Sequence, residues 1–157
     1  MRWLLVLLCA CQVPTNGPLE QLALDRPFFD CRVQPVLTKY CSALACHGHD
    51  QRFFRVFARN RARLDANETR NAFMTSDERD HNYAAAVAVV DADDPEHSSL
   101  LMKPLDEAAG GRFHVGATMF GRGDVFAAAD DPDYQLLANW VAGATEQSGC
   151  MEPGSDL

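Results

Sequence analysis

The residues of this chain whose types and spacing could do chemistry lie in Cys41-Ser42-Ala43-Leu44-Ala45-Cys46-His47-Gly48. Two thiols followed at once by a histidine are what covalent c-type haem attachment requires. Each sulfur adds across a haem vinyl group, and the adjacent imidazole turns to the iron as proximal ligand. The familiar spacing leaves two residues between the cysteines; here there are four, so the intervening loop must bulge to bring both sulfurs to the two vinyls. The same stretch can be read as a zinc site with Cys41, Cys46, His47 and His49 as ligands, or simply as two buried thiols beside surface imidazoles. Adjacent residues rarely both turn onto one zinc without strain, whereas haem needs the Cys46-His47 adjacency.

A second stretch, Gly110 to Gly121, is glycine-rich and holds both ligand types that complete a six-coordinate haem, His114 and Met119. Three more histidines, His49, His81 and His97, have no motif around them and are expected in solvent. Asp91, Asp93 and Asp94 are explained by capping and solvation without a calcium ion.

The elements that must position these residues begin after an export signal. Met1 to Ala10 is one arginine followed by a short apolar run ending in small residues, a secretory signal peptide too short to span a bilayer. Leu8-Cys9-Ala10-Cys11 resembles a bacterial lipobox, which would put a lipid on Cys11 and tether the chain to a membrane surface; simple secretion is the alternative. Residues 11–27 read as a tether, 28–150 as a single domain and 151–157 as a tail. In an exported protein the two cysteines left over, Cys31 and Cys150, are expected to pair. Closing so long a loop stabilises by about 3–5 kcal/mol.

Phe29, Val33, Leu37 and Tyr40 recur at helical spacing and lead into Cys41, with Asp30 as candidate N-cap and Pro35 either near the first turn or kinking the helix. Residues 52–64 partly alternate arginine with apolar side chains and read as extended. Helices are expected over 76–90, from Asp94-Pro95 to Pro104, and from Asp131-Pro132 to Gly143. In the last of these Leu136, Leu137, Trp140 and Val141 share a face. The formal charge of −8 argues against nucleic acid and toward a basic redox partner or a solvated acidic surface.

Four blocks in order, Phe29 to Gly48, Asp94-Pro95 to Pro104, Gly110 to Gly116 and Asp133-Tyr134 to Ala144, resemble the planctomycete-type cytochrome c domain. The resemblance is to the subgroup with four residues between the haem cysteines and an Ala-Cys-His-Gly ending, and it spans residues 28 to 145. It implies an all-α cytochrome c-like fold whose N- and C-terminal helices cross, with haem c in a loop-lined crevice. Cys41 and Cys46 would be the attachment sites, His47 the proximal ligand and His114 the distal one, with Met119 as the alternative. The expected function is single-electron transfer by a monohaem c-type cytochrome at the bacterial cell envelope, facing the periplasm or the outer surface, with a protein redox partner. Two rivals are a peroxidase-like haem enzyme or gas sensor with an open sixth position, and a zinc-stabilised binding module.

Overall fold

The computed structural model describes residues 22–115, 124–146 and 150; Cys11, Met119, the signal segment and the tail lie outside them. The fold is all-α, with no strands among the described residues and one isolated parallel bridge, Leu105 to Phe126. None of the helices described is long and apolar enough to cross a membrane.

Four helical segments, Arg26–Phe28, Phe29–Val33, Gln34–Val36 and Leu37–Cys41, follow without a break and form one helix, α1 (26–41). Its cap is Asp25, whose carboxylate accepts from the Phe28 N–H at 2.6 Å, and Pro27 sits in the first turn. The expected cap, Asp30, instead lies one turn inside and pairs with Arg26 at 2.9 Å. The helix therefore starts within the stretch that reads as tether. An Asp-Arg-Pro start outcompetes Asp30 because Pro27 needs no helical N–H partner. Pro35 falls in the helix interior, where its ring presses on the carbonyl four residues back. The chain answers with wide π turns on either side: the Gln34 N–H reaches the Phe29 carbonyl and the Ser42 N–H reaches that of Leu37. Such a turn separates the ring from the preceding carbonyls without breaking the helix.

Helix α2 spans Ser76–Val87, α3 Ser99–Met102 and α4 Pro132–Val141. Around Asp94 the expected helix is split. Pro95–His97 forms a 3₁₀ turn, and the Asp94 carboxylate faces His97 Nδ1 at 2.8 Å instead of capping. Asp131 does cap α4, accepting from the N–H groups of Asp133 and Tyr134. Residues 52–64 contain no strand, although Val56, Phe57 and Ala58 are fully buried. Three of their arginines serve the chain itself: Arg59 donates to the Asn71 carbonyl, Arg55 lies over the Phe57 ring and Arg63 is buried against Glu78.

Helices α1 and α4 pack with opposite chain directions. Trp140 Nε1 donates to the Asp25 carbonyl at 2.8 Å, while at the other end the Tyr40 hydroxyl donates to Asp133 at 2.9 Å. Phe29 is the hub, with its ring 5.2 Å from that of Trp140 and 5.3 Å from that of Tyr83 in α2. A buried amide network ties the layers together. Asn82 of α2 takes the N–H of Phe57 and donates to its carbonyl, and also donates to Gln34 of α1, which donates in turn to Thr38.

Cys31 and Cys150 form a disulfide, with 119 residues of sequence separation between them. It fastens α1 to the chain beyond α4 beside the Arg32–Glu146 ion pair. A Cys31→Ser, Cys150→Ser double variant is expected to lose about 2–5 kcal/mol of stability, because the cross-link mainly restricts the unfolded chain. Urea unfolding checks this, with a separate slope for each protein because the chain without the cross-link unfolds to a more open state; a loss below about 1 kcal/mol contradicts it.

Candidate haem site

The Cys41 to Gly48 segment folds back on the end of α1. The N–H of Cys46 and that of Gly48 both reach the Ala43 carbonyl, and the His47 N–H returns to the Cys41 carbonyl at 3.0 Å. The four intervening residues are thus taken up in a tight turn that places Cys41 and Cys46 on one cavity wall. Buried Ser42 secures its base by donating to the Thr38 carbonyl at 2.6 Å. Gly48 is required by space, since a Cβ there would lie 2.4 Å from the Ser42 carbonyl oxygen.

The cavity measures about 350 Å³ and is chiefly apolar, with Leu37, Leu100, Val125 and Leu137 among its walls. That is the low end of the range for small-molecule and cofactor sites. Cys41 and Cys46 both face it and remain free thiols, although the chain forms a disulfide elsewhere. Burial, with Cys46 nearby, pushes the Cys41 thiol up to about 12, so it is held protonated.

His47 and His114 both line this cavity. Their rings are nearly parallel, 13° apart, with centroids separated by 5.9 Å. In each ring Nδ1 is engaged: His47 Nδ1 with the Phe54 carbonyl at 2.7 Å, His114 Nδ1 with the Asp124 carboxylate at 2.9 Å. A hydrogen bond at Nδ1 fixes that nitrogen as the N–H and leaves Nε2 as the free lone pair. Burial pushes the His47 imidazolium down and outweighs the Phe54 carbonyl, which favours the neutral ring that a metal needs.

The donor set fits a six-coordinate haem. The two imidazoles lie 5.9 Å apart by centroid, each engaged at Nδ1, and share their cavity with two free thiols, which are the donor types that a haem c would take up. The zinc alternative is not assembled. Among the described residues no three His, Cys, Asp or Glu side chains gather as a metal-ion site, and His49 is exposed beside Asp50. Cys31 and Cys150 are taken by their disulfide, and Met119 and Cys11 lie outside the described residues.

Sequence reasoning did not single out Phe54 or Asp124. A backbone carbonyl leaves no residue-type signal, and an aspartate ten positions beyond His114 has no motif spacing to reveal it. Arg52 and Lys103 also reach the cavity. Arg52 belongs to the arginine-rich stretch that reads only as extended, and Lys103 donates to the Phe113 carbonyl at 2.9 Å, holding the His114 segment in place. No protein-family model, curated protein or solved structure matches the chain.

Proposed function

We propose that this chain is a monohaem c-type cytochrome of the planctomycete type, carrying single electrons at a bacterial cell envelope. The observation that supports it best is the near-parallel pair His47 and His114, each with Nδ1 engaged, lining an apolar cavity together with two free cysteines. Haem c, when bound, supplies a one-electron Fe(III)/Fe(II) couple.

The chain's own residues do the rest. Cys41 and Cys46 would hold the group through thioethers, each S–H adding across a vinyl double bond. His47 and His114 would hold it through Nε2, the nitrogen that the bonds at Nδ1 leave available. The apolar walls exclude water and lower the local dielectric, which penalises the more highly charged state. Neutral imidazole on both sides works the other way, giving a lower potential than a methionine ligand would. Export through the N-terminal signal and a lipid on Cys11 would hold the domain at a membrane surface, where a redox protein partner can reach it.

One rival has an observation of its own. A histidine oriented by a carboxylate, as His114 is by Asp124, is also an arrangement suited to acid–base work. Optical spectra of the protein made with c-type haem maturation decide between the two. The carrier gives a covalently held, low-spin haem with no far-red methionine band and no change on adding carbon monoxide. A high-spin spectrum that shifts with carbon monoxide would move the protein to the enzyme or sensor class, and a methionine band would replace His114 by Met119.

A further inference from the structure

The two imidazoles differ in what they lean on, and that difference has a functional consequence if the haem reading holds. His47 donates to a neutral backbone carbonyl, whereas His114 faces a carboxylate whose side chain is only 3 % exposed. We propose that Asp124 is a positioning residue for His114, aiming its Nε2 at the iron and biasing the couple toward Fe(III).

Asp124 is built to hold a ring in place. Its segment is clipped to residues 104–106: the Phe126 N–H reaches the Pro104 carbonyl, the Asp106 N–H reaches that of Phe126, and the Asp124 N–H reaches the Asp106 carboxylate at 3.2 Å. The same oxygen that faces His114 also accepts from the Val125 N–H at 2.8 Å, so the carboxylate has little freedom to turn away. On the histidine side, the Arg112 N–H is bonded to the Met102 carbonyl at 2.7 Å, and Gly111 sits where a Cβ would lie 1.8 Å from the Leu105 carbonyl oxygen. Both partners are thus referred to one short stretch, residues 102–106. Among the described residues no lysine or arginine pairs with Asp124 to cancel its charge.

The electrostatic sign follows. Fe(III) carries one more positive charge than Fe(II), and a buried carboxylate behind its ligand favours the more positive state. A carboxylate also makes the imidazole a stronger donor than a carbonyl does, and loss of such an outer partner typically changes metal affinity or activity 10–100-fold. Because the two oxidation states feel the charge unequally, part of that change appears as a shift in potential.

The test is a spectroelectrochemical titration of the haem-loaded full chain and its Asp124→Asn and Asp124→Glu variants. The Asn variant is expected to stay low-spin while its Fe(II) to Fe(III) ratio at a fixed potential rises about tenfold, equivalent to about 59 mV for one electron. The Glu variant, which keeps the charge, should remain nearer the wild type. A low-spin Asn variant whose ratio moves less than twofold overturns the proposal, as does a His114→Ala protein with an unaltered low-spin spectrum. Should the Asn variant not mature, proton NMR of the reduced wild type decides. The His114 Nδ1 proton must appear further downfield than that of His47, and the reverse order overturns the assignment. A wild type without covalent haem would instead remove the haem reading itself, before any variant is compared.

Discussion

Changing Cys41 and Cys46 together to serine is expected to reduce covalent haem from one per chain to none. A serine hydroxyl is too weak a nucleophile to add across a vinyl group under conditions in which a thiol does. Neither sulfur takes part in the disulfide, and the contacts joining α1 to α4 are made by Asp25, Phe29, Tyr40, Asp133 and Trp140, so the fold should survive the change. Intact mass after denaturation, with haem staining of a denaturing gel, is the measurement. A chain that still carries haem mass without either thiol would mean that attachment does not run through these cysteines. Single variants should keep one thioether and one free vinyl, and so shift the reduced absorption band without abolishing the covalent link.

The second large effect concerns Arg63. Its guanidinium is 4 % exposed and Glu78 is 1 % exposed, and they meet as a bidentate pair at 2.8 and 2.9 Å. Arg63 also donates to the carbonyls of Thr69, Ala72 and Phe73, closing the loop that leads into α2. Glu78 is equally committed: it takes the Leu64 N–H at 2.9 Å and completes a capping box with Thr75. Arg63→Ala would leave a buried carboxylate without its cation and several carbonyls without donors. Removing one partner of a buried pair costs about 3–5 kcal/mol, and the orphaned carbonyls put this variant at the upper end or beyond. Arg63→Lys should recover only part, since an ammonium cannot form the fork. Urea denaturation measures both, and a loss under about 1.5 kcal/mol for the alanine variant would show that the pair is not a staple.

Glu78 adds a pH signature. Burial alone would raise its carboxyl, but the hydrogen bonds from Arg63 and from the N–H groups of Leu64 and Thr75 hold it below the usual glutamate value of 4.5. A carboxyl lowered on folding contributes stability that is present above its unfolded pKa and is lost as the pH falls through the lower folded value. From pH 7 down to about 4.5 this contribution should stay constant and below that it should fall. The Arg63→Ala protein should lack that acid dependence.

By itself the sequence determined the outline. Apolar residues at helical spacing, an Asp-Pro start at residue 131 and the Cys41 to Gly48 run are local signals, and each appears in the chain where its residues stand. The capping box of Thr75 and Glu78 is a local pattern too, but the helix expected over 76–90 does not rest on it. Cys31 and Cys150 could be paired on the expectation of export, because two unassigned thiols in an oxidising compartment have few other fates. What the tertiary structure alone decided are the relations between distant residues. That the Asp25 carbonyl receives the Trp140 indole N–H, tying the start of α1 to the end of α4, follows from the packing of two helices far apart in the chain. That Arg63 belongs to Glu78 and not to solvent follows from a loop closing over it. The approach of His47 to His114, with Phe54 and Asp124 holding their Nδ1 atoms, is set by three separate segments meeting at one cavity. Periodicity reports which face of an element is buried, but not which other element lies against it. A hydrogen bond to a backbone carbonyl or a lone aspartate is written in no residue pattern, and the fine geometry of a site is held by such bonds.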